Sequence, residues 1–295
     1  MSSKLTMFPY NIAEDTARFQ PSVIDSEKGY YDTIEKKFIT SSTLDSLMDI
    51  LIPQKNYFEK RDQRINQSIN RIRRNLSVYQ KNPGDSYAQV LLKYLSSRFL
   101  VSQSQNMVDA AVLIVDIVES TKLATKLSPE ELSSLVRVFS QEMSILISAH
   151  AGFVLKYSGD AVIAYFPQLE QYGNKEENAI MCGKSMHAII QHALNSAGPD
   201  FAIPKIQIRV SIDCGKDRIV FLGTEPDLIG HTITISSKMI RFAKPGQMVI
   251  GENTYINIPA ELQQGFVKSD DKNWNYADPE TGKIYPIYIS KTGEL

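Results

Sequence analysis

AAVLIVDIVEST, residues 110–121, is an apolar run that ends in an acid. Ala110 to Val115 are apolar without a break, the pattern of a strand buried on both faces. Asp116 follows at once. An acid at the end of such a strand is ion-paired, caps the next helix, or binds a metal. A second acid stands in similar company in GFVLKYSGDAVIAYF, residues 152–166, where Asp160 follows the Ser158-Gly159 turn between two apolar stretches. Each acid alone has a plain reading: Asp116 as a helix cap, Asp160 as a turn residue. Two of them at strand edges of one sheet suit a divalent cation held through oxygen, as Mg²⁺ prefers.

Outward from these stretches, strands and helices alternate. Ser128-Pro129-Glu130-Glu131 combines an N-cap, a first-turn proline and a capping glutamate, and predicts a helix that closes near Gly152. Strands over 152–157 and 161–166 form a hairpin, and a helix follows from about Lys175 to Leu194. IQIRVSIDCG (206–215) and RIVFLG (218–223) read as another hairpin. A helix opens after Gly230, QMVIG (247–251) is a strand, and FVK and IYPIYIS add strands near the C-terminus. This β-α-β-β-α-β order with an extra hairpin predicts an α+β, ferredoxin-like sandwich, one sheet with helices on one face.

The N-terminal part reads differently. Residues 1 to about 43 show no sustained periodicity. A short apolar helix is expected from Ser41 or Ser42 to Pro53. Tyr57 to Tyr79 is highly charged and reads as a long helix. In it Ile65, Ile69, Ile72, Leu76 and Tyr79 follow a four-three-four-three spacing, the seam of a short coiled coil or of a helix packed on its own domain. Asn82 to Asp85 breaks it, and YAQVLLKYLSSRFL (87–100) makes a shorter helix. The expected division is a mostly helical, regulatory region over 1–105 and a catalytic domain over 106–295.

Composition narrows the partners. The chain has 295 residues, 43% of them hydrophobic, enough for one sizeable core plus an accessory segment, or two small domains. A net charge of −1 gives no basic field for nucleic acid. No apolar run is long enough to span a bilayer and none reads as a signal peptide, so a cytoplasmic protein without membrane contact is expected. Cys182 and Cys214 fit neither a metal spacing nor a disulfide framework, which suits a reducing compartment. The histidines lack ligand spacing: His187 and His192 are five apart, off a shared helix face.

From about Asp109 to Ile289 the chain resembles the class III nucleotidyl cyclase catalytic domain, the adenylate/guanylate cyclase family. VDIVEST is similar to the family's first metal motif. GFVLKYSGD resembles the segment with the base-reading lysine and the second metal acid. IRVSIDCG resembles the family's arginine-rich strand, with Ser211 where glycine is usual. DLIGHTITISSKM resembles the segment that completes the site. The resemblance implies two ions, Mg²⁺ or Mn²⁺, held by Asp116, Asp160 and the backbone carbonyl of Ile117. It implies Lys156 and Asp227 as adenine readers, with ATP the favoured nucleoside triphosphate. It also implies a homodimer, because the family builds each site from two catalytic domains and this chain supplies one.

Two positions depart from the family pattern. Thr234 stands where an asparagine usually positions the ribose, and Lys238 where an arginine usually stabilises the transition-state phosphate. Lysine keeps the charge but loses the two-pronged grip. The resemblance therefore implies an adenylate cyclase of intracellular signalling, with slow turnover or altered substrate. The alternatives are a cyclase reading guanine or a pyrimidine, and a catalytically weak nucleotide-binding relative. A further phosphate-binding lysine of the family has two candidates, Lys268 and Lys283.

Overall fold

The computed structural model describes residues 6–7, 10–11, 15–44, 47, 61–79, 87–103, 106–278 and 281–291. The chain divides into two compact units, Met1–Lys55 and Asn56–Leu295. The boundary thus precedes the charged helix. Most of the expected helix up to Pro53, and the breaker at 82–85, lie outside the described residues.

The first unit contains, besides the short antiparallel pairing of Thr6–Met7 with Tyr10–Asn11, a three-stranded antiparallel sheet of β1 (Phe19–Ile24), β2 (Glu27–Asp32) and β3 (Lys37–Thr40). Its first hairpin turns on Asp25 and Ser26, at φ 52° and 67°. Two left-handed residues between strands make the turn type that matches strand twist. Asp-Ser is a weak version of the usual Asn-Gly signal, so the sequence reads as aperiodic there. Buried Arg18 grips buried Asp32 through Nε at 3.1 Å and a terminal nitrogen at 2.8 Å.

The second unit carries two helices ahead of the sheet, α1 (Arg61–Tyr79) and α2 (Tyr87–Val101). Then come β4 (Met107–Ile117), α3 (Ser120–Lys126), α4 (Pro129–Ala149), β5 (Phe153–Ser158), β6 (Ala161–Pro167) and α5 (Lys175–Ile189), which runs on through a π turn over Ile190–Leu194. After these follow β7 (Ile208–Leu222), β8 (Glu225–Ile229), α6 (His231–Met239) and β9 (Met248–Gly251). Short helices α7 (Glu252–Asn257) and α8 (Ala260–Gln263) and strands β10 (Phe266–Lys268) and β11 (Ile287–Ser290) complete it. The α4 start is the capping box read from sequence. Ser128 Oγ accepts from Glu131 N at 3.2 Å, and Glu131 accepts from Ser128 N at 2.8 Å.

The sheet order is β10-β11-β9-β7-β4-β6-β5, with β8 paired to the far half of β7. Its centre, β7-β4-β6-β5, is antiparallel throughout and is the ferredoxin-like arrangement expected from the β-α-β-β-α-β order. Among the described strands of this sheet, only β9 and β7 run parallel. On one face, Ala111, Leu113, Val115 and Ile117 of β4 join Ile208, Val210 and Ile212 of β7 in a core closed by α4 and α5.

The other face is covered too, which corrects the one-faced expectation. At the β5–β6 end, Phe99 of α2 stacks on Phe153 with centroids 4.9 Å apart, and Phe153 stacks on Tyr165 at 5.4 Å. At the β7–β9 end, Ile235 and Met239 of α6 form a second core with Val249, Trp274, Tyr285 and Ile287. The alternate β4 residues Ala110, Val112 and Ile114 are buried as well. This is why the run is apolar at every position.

The described part of the coiled-coil seam packs within this unit. Ile72 and Leu76 belong to the main core, and Ile65 and Ile69 pack against it. Arg71 on the same helix holds buried Glu142 of α4 with two bonds, at 2.7 and 2.5 Å. The apolar spacing thus serves a helix packed on its own domain.

Candidate active site

Asp116 is the penultimate residue of β4. In the β4–β6 register it lies opposite Ala161, which puts Asp160 of the β5–β6 turn beside it. Gly159 takes φ +62° in that turn, with open space where a Cβ would stand, a conformation that suits glycine. On the other side of β4, Asp116 lies opposite Arg209, and Arg209 donates to its Oδ2 at 2.7 Å. Partial burial raises the Asp116 carboxyl above its ordinary value; Arg209 opposes that rise and neighbouring Asp160 adds to it. Two carboxylates are thus brought together with one guanidinium. Sequence reading gave Arg209 no role. The signal was there in principle, because an arginine alternating with buried residues on a central strand must find an acid.

The donor set fits a magnesium-like ion. Among the described residues, no group of three or more His, Cys, Asp or Glu is arranged to hold a metal. Mg²⁺ does not need one: it is commonly held by one or two carboxylates plus substrate phosphates and water. Asp116 and Asp160 are the carboxylates available, with the backbone at Ile117 adjoining.

Lys156 and Asp227 meet, although 71 residues separate them. Lys156 Nζ lies 2.5 Å from Asp227 Oδ2. Asp227 Oδ1 also accepts from Leu228 N at 2.8 Å, which fixes the carboxylate plane. Lys156 comes from β5, and Asp227 from β8, which the hairpin with β7 carries alongside. The lysine side chain is 41% exposed and the aspartate 13%, so the pair is reachable from solvent. Exposed Phe221, Leu222 and Ile229 lie on the same hairpin.

Thr234 and Lys238 are exposed one turn apart on α6. Thr234 Oγ1 donates to Gly230 O at 2.7 Å, a bond within its own helix. Lys238 Nζ sits 4.9 Å from the centroid of the Tyr276 ring, a cation–π contact. Lys268 is exposed on β10, at the sheet edge remote from β5, and Lys283 is exposed in the loop before β11. Of the histidines, buried His150 bonds Ser185 Oγ at 2.9 Å, and burial lowers it to about 3, so it is neutral. No helix among the described residues is long and apolar enough to cross a membrane.

Comparison with known proteins agrees with this architecture. An adenylyl cyclase, CyaB from P. aeruginosa, superposes with a TM-score of 0.53 at 20% identity over 63% of this chain and 94% of its own. The catalytic core of a rhodopsin-guanylyl cyclase with converted specificity gives 0.50 at 19% over 62% and 97%. Among curated proteins, adenylate cyclase 1 of Rhizobium meliloti is 23% identical over 44% of this chain and 20% of its own length. A cytidylate cyclase of Escherichia coli is 27% identical over 48% and 33%, and one of Staphylococcus aureus 28% over 51% and 38%. The chain thus spans between a fifth and two fifths of these curated relatives. The profile of the adenylate and guanylate cyclase catalytic domain matches residues 102–279, well over half of the chain, and the chain belongs to that family.

Proposed function

We propose that this protein is a nucleotidyl cyclase that converts ATP to 3′,5′-cyclic AMP and pyrophosphate at a site shared by two copies of the chain. The observations that carry this reading are the Lys156–Asp227 pair and, separately, the two clustered carboxylates Asp116 and Asp160. The lysine donates to a ring nitrogen and the carboxylate accepts from the adjacent exocyclic amine. Adenine offers that acceptor and donor side by side. A base with the wrong pattern leaves buried polar groups unpaired, which discriminates strongly.

In the reaction the ribose 3′-oxygen bonds to the α-phosphorus, the bond to the β-phosphate oxygen breaks, and the 3′-hydroxyl proton is released. Asp116, Asp160 and the Ile117 carbonyl would hold two divalent cations, Mg²⁺ or Mn²⁺, whose chemistry is to acidify the 3′-hydroxyl and neutralise the leaving pyrophosphate. The remaining work of the side chains is positioning and charge. Lys156 and Asp227 orient the base. Arg209 and Lys238 place positive charge near the phosphates, and Thr234 lies where the ribose is held. The exposed apolar residues Phe221, Leu222 and Ile229 on the Asp227 hairpin favour a homodimer, since a second copy would cover them.

One observation favours a second reading. Two of the similar curated proteins are cytidylate cyclases. Cytosine presents a ring acceptor beside an exocyclic amine, as adenine does, so the Lys156–Asp227 pair accepts either base and ring size must discriminate. Purified protein with Mg²⁺ or Mn²⁺ and each of the four nucleoside triphosphates tests both readings. Cyclic AMP as the main product supports the first, and cyclic CMP the second. Asp116→Ala and Asp160→Ala must each abolish product with the fold retained; near-normal turnover in either removes the metal assignment.

A further inference from the structure

The face of β7 that lies under α6 is polar although it is buried. Its alternate residues are Arg209, Ser211, Asp213, Gly215 and Asp217, opposite the apolar Ile208, Val210, Ile212 and Cys214. Ser211, Asp213 and Asp217 are buried nonetheless. Buried polar groups persist only where they are bonded, and these bonds run to the elements above the strand. Asp217 accepts from the backbone N–H of Thr232 at 3.1 Å and of Ile233 at 2.9 Å, the opening residues of α6. The Gly230 N-cap has no side chain to do this. A Cβ at Gly230 would lie 2.1 Å from Asp217 Oδ1, so the glycine is what lets the acid reach the helix end. At the other end of the contact, Ser211 Oγ donates to the Ser236 carbonyl at 2.8 Å. Between them, a Cβ on Gly215 would meet Thr232 Oγ1 at 2.7 Å, so helix and strand touch without a gap.

We infer that Asp217, with Ser211, is a positioning residue for turnover: it caps α6 from the neighbouring strand and so fixes the rotation and height at which the helix presents Thr234 and Lys238. This rests on the cyclase reading above. A carboxylate at a helix N-terminus satisfies N–H groups that otherwise have no partner and complements the helix dipole. Here the acid comes from β7, so the cap also locks the helix to the strand that carries Arg209. The two exposed residues of α6 and the guanidinium beside Asp116 are thereby held in one rigid frame. Sequence reading had no access to this, because Asp217 lies fourteen positions before the helix it caps, on a different element.

The test is a mutant cycle with Thr234 and Lys238. Asp217→Ala should lower kcat about 10- to 100-fold, the scale expected when a catalytic group is displaced by about an ångström, with KM changed less than about threefold. Asp217→Asn retains an acceptor oxygen and should recover most of the loss. In a Lys238→Ala background with Thr234→Ala added, Asp217→Ala should cost less than about threefold, because the groups it positions are gone. Full additivity, or a loss carried in KM instead of kcat, overturns the inference. Should Asp217→Ala not fold, Ser211→Gly offers the same cycle with a smaller perturbation and the same criterion. A wild-type protein that cyclises no triphosphate is a failure of the cyclase reading. The placement itself is then read by amide exchange: Asp217→Ala must speed exchange at Thr232 and Ile233, and unchanged exchange there refutes it.

Discussion

Arg71→Met is the sharpest probe of how α1 is attached. Glu142 is 1% exposed and takes both of its bonds to Arg71 at 2.7 and 2.5 Å. Removing the guanidinium leaves the buried Glu142 carboxyl group in the helix–helix interface without its partner. Loss of one member of a buried pair costs about 3–5 kcal/mol. Ser68, which also accepts from Arg71 at 2.9 Å, and the Asn75–Gln141 bond at 2.8 Å flank the pair and cannot replace it. Glu142→Leu combined with Arg71→Met removes both charges at similar volume. Such replacements are commonly neutral or better, so the double variant should recover most of the lost stability. Urea unfolding followed by circular dichroism gives the four corners of the cycle, with coupling of about 2 kcal/mol or more expected between residues in contact. If Arg71→Met costs under about 1 kcal/mol, or the two changes simply add, α1 is not docked on α4. Its Ile65, Ile69, Ile72 and Leu76 seam would then be free for a coiled coil between chains.

Three further expectations follow from the site. Burial pushes the Asp213 carboxyl from 3.8 up to about 7, opposed by backbone N–H donors and the Tyr285 hydroxyl; the folded chain therefore keeps a proton that the unfolded chain has released, and this group's contribution to stability falls as pH rises from about 4 to 7, by ~1.4 kcal/mol per unit. Asp213→Asn should be less pH-sensitive over that window in thermal unfolding, and parallel curves for the two proteins would show that Asp213 is ionised throughout. Thr234→Asn with Lys238→Arg should raise turnover, since a guanidinium grips phosphate with two bonds where an ammonium offers a point charge; a fall in kcat means that the site is tuned around Thr234 and Lys238. In the shared-site proposal the metal acids of one chain meet the base readers of its partner, so Asp160→Ala and Lys156→Ala should each be inactive alone yet recover up to half of wild-type activity per mixed dimer, because one of the two sites then carries neither defect; demonstrated mixed dimers without recovery would end the shared-site proposal.

Local order in the second unit was readable because local chemistry fixed it. Ser128 and Glu131 cap α4 through bonds that span three residues, and the apolar run over 110–115 can only be a strand covered on both sides. The resemblance motifs named Asp116, Asp160, Lys156 and Asp227 one at a time, and spacing tied Lys156 to Asp160 and Asp227 to Gly230. What spacing could not say was that Lys156 touches Asp227 across 71 residues, or that Arg209 shares Asp116 with Asp160. Those contacts depend on the antiparallel registers of β4 with β6 and β7, and a one-residue slip would turn each side chain to the opposite face.

The same limit explains the remaining differences. A four-three spacing of isoleucines is what a coiled-coil seam requires and also what a helix packed on a core requires, so the pattern of α1 was degenerate until α4 supplied Glu142 as its partner. The second layer over the sheet was hidden because α2 precedes the first sheet strand and the Trp274–Tyr285 segment lies beyond α6, and neither has a sequence mark of the face it covers. In the second unit the amino-acid sequence by itself determined the order of the main strands and helices and the cap of α4, because those rest on neighbours within a turn or a strand. It did not determine the strands over 19–40, where it read as aperiodic and mostly helical. Only the tertiary structure decided which acids and bases share an ion pair, which face is buried, and which buried acid holds a distant helix, because those energies arise between elements that the chain brings together only on folding.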